Sequence, residues 1–264
     1  MDANDSRHLY PTIQHEQATE AIVEFFSVQD IDSVLLTCSC ARGKATKDSC
    51  LDITVLVFPE RLIRQKEILE KRWNEFYESE KIFSDLYQVG KYSHVDLDFT
   101  DGCFEPKSPG WTTGPDNFEL EIGNTFVYVI PLLEHTDYFQ RCKAQYLPYY
   151  DEELRQKRLE EAKKVCFNNL YHIPLYVERS LYFQAFNRLY HASQEFLQAL
   201  FISRRVYPIA YDKWIREQTE DILGMPELYK KLVSLMEIHH FESHEIADKA
   251  QILERLFYGY VDYS

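Results

Sequence analysis

Two aliphatic runs joined through one polar turn constrain this chain more than any other feature. Ile31-Asp32-Ser33-Val34-Leu35-Leu36-Thr37 reads as a buried strand, and Leu51 to Phe58, rich in β-branched and aliphatic residues, reads as a second strand that Pro59 ends. Between them lie Cys38-Ser39-Cys40-Ala41-Arg42-Gly43 and a polar stretch that reaches Ser49-Cys50. A third strand pattern, Ser93-His94-Val95-Asp96-Leu97-Asp98-Phe99, puts Asp96 and Asp98 on one face, because successive strand side chains alternate.

Helical periodicity surrounds these runs. Glu16 to Ser27 carries Ala18, Ile22, Phe25 and Phe26 close to one face, and a long charged helix is predicted between Pro59 and about Tyr87. Thr100 to Asn117 holds three Gly and three Pro and reads as an irregular loop. Phe118 to Ile130 has strand character, strongest over Thr125–Ile130; from Leu132 onward only helical patterns appear. Those helices are expected at Asp151–Asn169, Leu175–Ser203, Ile209–Leu223, Glu227–Ile238 and Ser243–Tyr258. The fold class read from this order is α+β, with an α/β domain over residues 1–130 and an all-α helical bundle over residues 131–264.

The formal charge of −14 opposes binding to a nucleic-acid backbone and favours a small-molecule or protein substrate. No apolar run approaches the roughly 20 residues of a membrane span. The polar, acidic start predicts no signal peptide, and six dispersed cysteines predict reduced thiols in a cytoplasm rather than a disulfide scaffold.

The segment Cys38 to Val57 resembles the active-site stretch of the polymerase-β-like nucleotidyltransferase superfamily. Its small members carry Gly-Ser, then Ala-Arg-Gly, then Ser-Asp-x-Asp entering a hydrophobic strand. Ser39, Ala41, Arg42, Gly43, Ser49 and Asp52 fall on matching positions, while Cys38 stands at the Gly and Cys50 at the first Asp. Asn187–Phe201 and Tyr207–Ile215 resemble the C-terminal bundle of the antibiotic-type members, which act on aminoglycosides or lincosamides. The resemblance covers most of residues 31–220. It implies a mixed sheet flanked by helices and transfer of a nucleoside monophosphate, AMP from ATP or another nucleoside triphosphate, to a hydroxyl of a small molecule.

The resemblance also assigns residues. Asp52, Asp96 and Asp98 are expected to hold Mg²⁺ or Mn²⁺, with Asp96 or Asp98 as third metal ligand or as base. Ser39 and Arg42 are expected to hold phosphate, and Lys213 to reach the triphosphate tail. A cationic acceptor such as an aminoglycoside would suit the acidic chain; no nucleic-acid or membrane partner is expected. The departures cut against the usual two-cation chemistry, since a thiol is a poor ligand for a hard cation. Asp48 or the spare carboxylate of the Asp96/Asp98 pair is the alternative replacement for the first Asp. Cys38 and Cys50 could instead form a disulfide, bind a soft metal with Cys40 or His94, or be inert thiols. His239, His240 and His244 read as a polar junction between helices, and Arg188 and His191 are spaced too closely for a helical-ribonuclease signature.

Overall fold

The computed structural model describes residues 10–107 and 114–262. The start of the chain and the middle of the predicted 100–117 loop lie outside these residues. The chain forms two compact units. One runs to Phe104 and resumes over Ile122–Tyr146; the other comprises Glu105–Glu121 and Leu147–Ser264. The division read from sequence falls after residue 130. Among the described residues no helix is long and apolar enough to cross a membrane.

The first unit contains α1 (Ile13–Ser27), β1 (Ser33–Leu36), α2 (Cys38–Ala41), β2 (Leu51–Leu56), α3 (Pro59–Ser79), α4 (Lys81–Tyr87) and β3 (Val95–Thr100). After α5 (Phe118–Ile122), whose residues up to Glu121 belong to the second unit, and a wide turn at Gly123–Val127 come β4 (Ile130–Glu134) and α6 (Tyr138–Tyr146). The sheet order is β3-β2-β1-β4. β1 is antiparallel to β2 and β4, and β2 is parallel to β3, so the sheet is mixed. A parallel pair needs a long crossover, which α3 and α4 supply, with Pro59 preset at the start of α3. Ala18, Ile22 and Phe26 of α1, Leu69 and Trp73 of α3, and Phe83 and Leu86 of α4 share a core with Leu51, Ile53, Val55 and Phe99. Those strand residues face the helical layer, so Asp52, Thr54, Asp96 and Asp98 face the other way.

Local pattern misleads at three points between Pro59 and Glu134. The predicted 59–87 helix breaks at Glu80, whose ψ of 122° is extended. The bend returns Phe83 onto Trp73 and Tyr77, with ring centroids 5.6 and 4.8 Å away. Phe118–Val127 is helical rather than a strand, because Phe118, Ile122 and Phe126, four residues apart, are all buried that way. Strand pairing continues past residue 130, with Pro131 opposite Leu35. β4 is an edge strand with a register shift, where a missing N–H is tolerated.

The second unit is helical: α7 (Glu152–Glu178), α8 (Tyr182–Arg204), α9 (Ile215–Glu217) continuing into a wide turn at Gln218–Ile222, α10 (Pro226–Met236) and α11 (Glu245–Tyr260). The Asp151 carboxylate caps α7 by accepting from the Leu154 amide at 2.9 Å. The sequence ends this helix at Asn169 and begins the next at Leu175, whereas α7 runs through Pro174 to Glu178. Leu170, Ile173 and Val177 remain in one core on either side of the proline, and that burial overrides the local breaker. The predicted Ile209–Leu223 helix begins only at Ile215. Gln218 holds the preceding segment out of helix, accepting from the Ile209 amide at 2.7 Å and donating to the Ala210 carbonyl at 2.7 Å. Glu245 accepts from the amides of His239 and His240 at the junction before α11.

Glu195 is buried among these helices and accepts two hydrogen bonds from Asn169 Nδ2, at 2.9 and 2.8 Å. Burial pushes its carboxyl up to about 8, against the lowering by Asn169 and by the Arg188 charge. The folded state therefore binds this proton more tightly than the unfolded chain. The contribution is full below the ordinary carboxyl range and is lost as pH rises through about 8. Glu195→Gln should accordingly gain stability relative to the parent between about pH 5 and pH 9, read as the difference between their melting temperatures. A difference that stays constant across that range would show that Glu195 ionises normally.

Candidate metal and phosphate site

The turn after β1 is set by its pairing with β2. The Thr37 amide and Oγ1 both donate to the Asp52 carbonyl, at 3.0 and 3.2 Å. Cys38 then takes φ 54°, the left-handed region in which a side chain carries a penalty. This is the backbone region that favours glycine, and here it carries a thiol. Ser39, buried at 9% exposure, follows in α2; its carbonyl accepts from the Lys44 amide at 2.9 Å. Arg42, half-buried, closes α2, and Gly43 turns the chain with φ 66°.

Cys38→Gly is expected to stabilise the protein by about 1 kcal/mol. Relief of roughly 1–2 kcal/mol of left-handed strain is partly offset by the greater freedom of glycine in the unfolded chain. Cys38→Ala, which keeps the Cβ, should show no such gain. Equal urea midpoints for the two variants would refute the strain assignment.

The carboxylates meet across the parallel pair. Asp52 of β2 lies directly opposite Asp96 of β3, and Thr54 opposite Asp98. Donor atoms of Cys50, Asp52 and Asp96 all lie within 4.8 Å of one another, the one such group of three or more His, Cys, Asp or Glu among the described residues. The Cys50 thiol donates to Asp52 Oδ2 at 3.3 Å. Burial, then the charge and hydrogen bond of Asp52, push that thiol up to about 12, so it is neutral at physiological pH. His94 Nε2 lies 3.0 Å from Asp96 Oδ1. Asp98 shares the face of Asp96 but stands two residue pairs further along, opposite Thr54, and outside the group. Asp48 turns elsewhere, its Oδ1 accepting from the Lys91 amide at 3.0 Å.

Two supports of this site have no local signature. His15, fully buried in α1, places Nε2 3.0 Å from the Ser49 carbonyl, immediately before Cys50. Ser93 Oγ donates to the Lys47 carbonyl, tying the start of β3 to the segment entering β2. Each contact spans more than 30 residues of chain. Lys213 belongs to the second unit, where it is exposed; its carbonyl accepts from Gln218 Nε2 at 3.1 Å. None of the six cysteines is in a disulfide, so Cys38 and Cys50 are not joined.

The donor set fits a divalent cation but not the usual pair of Mg²⁺ ions. Asp52 and Asp96 offer oxygen ligands that suit Mg²⁺ or Mn²⁺. The third member of the group is sulfur, which does not suit Mg²⁺. Two shared cations also need a further carboxylate that Cys50 does not provide. Compared with protein-family models and with curated proteins, the chain has no significant match.

Proposed function

We propose that this chain has a nucleotidyltransferase-type fold, binds a nucleoside triphosphate at the β1–β2 turn, and transfers a nucleoside monophosphate, AMP from ATP, to a hydroxyl of a small molecule with release of pyrophosphate. The observation that carries this reading is the in-register pair Asp52 and Asp96 on adjacent parallel strands, beside a turn with left-handed backbone at Cys38. Ser39 donates its hydroxyl and amide to phosphate oxygens, and the Arg42 guanidinium pairs with them. Asp98, on the Asp96 face and outside the Cys50 group, is the base that takes the acceptor's hydroxyl proton. A bound cation would supply charge neutralisation at the phosphate, and Cys50 offers no carboxylate to share a second Mg²⁺.

Cys50 favours a second reading, in which the fold persists as a nucleotide-binding or interaction module without turnover. Calorimetric titration with ATP in the presence and absence of Mg²⁺ or Mn²⁺, on the parent and on Asp52→Ala, tests both. Cation-dependent binding that falls at least ~10-fold in the variant supports a nucleotide site held through Asp52. No binding under any condition removes the nucleotide reading.

A further inference from the structure

We infer that Cys50, Asp52 and Asp96 form a binding site for a single zinc-class divalent cation, one that accepts sulfur, in preference to Mg²⁺. Donor geometry and chemistry define this site independently of nucleotide transfer. The sulfur of the residue entering β2 and two carboxylates from adjacent strands converge within 4.8 Å. A tetrahedral zinc ion, with Zn–S about 2.3 Å and Zn–O about 2.0–2.2 Å, needs its sulfur and oxygen ligands about 3.5 Å apart. Cys50 Sγ and Asp52 Oδ2 are already 3.3 Å apart. Mg²⁺ asks instead for near-octahedral oxygen at about 2.0–2.1 Å and gains nothing from sulfur.

The surroundings have the form of an open site rather than a sealed structural one. Three protein donors leave the fourth tetrahedral position for water or a ligand oxygen. The Asp96 side chain is 54% exposed, which gives a cation an entry path. His94 lies outside the three-donor group but within hydrogen-bond distance of Asp96 Oδ1, the outer-shell position from which an imidazole orients a ligating carboxylate. On binding, the metal–sulfur bond forms as the thiol proton leaves to solvent.

The test is a Co²⁺ titration of the full chain, stripped of metal by chelation and free of nucleotide, followed by absorption. One equivalent of Co²⁺ should produce the thiolate-to-cobalt charge-transfer band in the near ultraviolet. Equimolar Zn²⁺ should abolish it, and an excess of Mg²⁺ of about 100-fold should not. Cys50→Ser should lose the band, whereas Cys103→Ser, at an exposed thiol remote in sequence, should keep it. Cys50→Asp retains a donor at the position, and should lose the band while binding Mg²⁺ at least ~10-fold more tightly than the parent. Cobalt bound with no thiolate band, a band that persists in Cys50→Ser and Cys50→Asp, or displacement by Mg²⁺ would each overturn the assignment. A chain that gives the cobalt band yet binds no ATP keeps this site and loses only the nucleotide reading.

Discussion

Replacing Arg158 by methionine is expected to destabilise the helical unit by about 3–5 kcal/mol, the largest loss expected from a single side chain. Arg158 is 3% exposed, and its Nε donates to Glu119 Oε1 at 2.8 Å while its Nη1 donates to Asp116 Oδ2 at 3.0 Å. Gln198 Nε2 reaches both carboxylates, at 3.0 and 3.1 Å, and the Tyr150 hydroxyl donates to Glu119 at 2.9 Å. One guanidinium thus balances two buried carboxylates, and methionine would leave both without a cation. The loss would come from desolvated charge rather than from the attraction removed. Adding Glu119→Gln and Asp116→Asn to Arg158→Met should therefore recover part of it, an antiadditive result typical of one shared network. Urea unfolding of the helical signal measures this. A loss under about 1 kcal/mol for Arg158→Met would mean that water already reaches the cluster.

That cluster was not legible in the sequence, and the reason is general. Arg158 lies in a highly charged stretch with nothing local to mark it as buried, and its partners come from a segment about 40 residues earlier. The same blindness explains Phe118–Val127. Aromatic and β-branched residues there give a strand pattern, while three buried side chains at helical spacing decide the outcome. β2 and β3 were legible because their apolar residues alternate toward one layer of helices, and β1 because it is a short run buried throughout.

At the site, the same alternation put Asp96 and Asp98 on one face but could not choose between them. The choice depends on register, and parallel register is fixed by how the α3–α4 crossover packs, not by either strand. Asp52 opposes Asp96, and Asp98 is left two residues along, opposite Thr54. The departure at Cys38 was visible as a residue type but not as a conformation. Its φ of 54° shows that the turn, rather than the residue, dictates the backbone there.

Gly90→Ala should cost about 3 kcal/mol and loosen the site with it. A Cβ at Gly90 would lie 2.4 Å from the Lys47 carbonyl oxygen, 2.7 Å from Ser93 Oγ and 2.8 Å from Asp48 Cα. Two of these atoms are backbone, so no side-chain rotation relieves the overlap, and the 47–48 segment must move. That segment leads within two residues to Cys50 and is held by the Ser93 hydroxyl and the Lys91 amide. Displacing it should shift the Cys50 sulfur relative to Asp52 and Asp96, and weaken Co²⁺ binding at least ~10-fold. Asp48→Ala is the control, since it removes only the bond from Lys91 at an exposed position, worth about 1 kcal/mol, and leaves the backbone path intact. If both variants bind Co²⁺ as the parent does, the entry segment does not position Cys50. If Asp48→Ala alone weakens binding, the carboxylate acts on the cation directly and the contact with Lys91 is incidental.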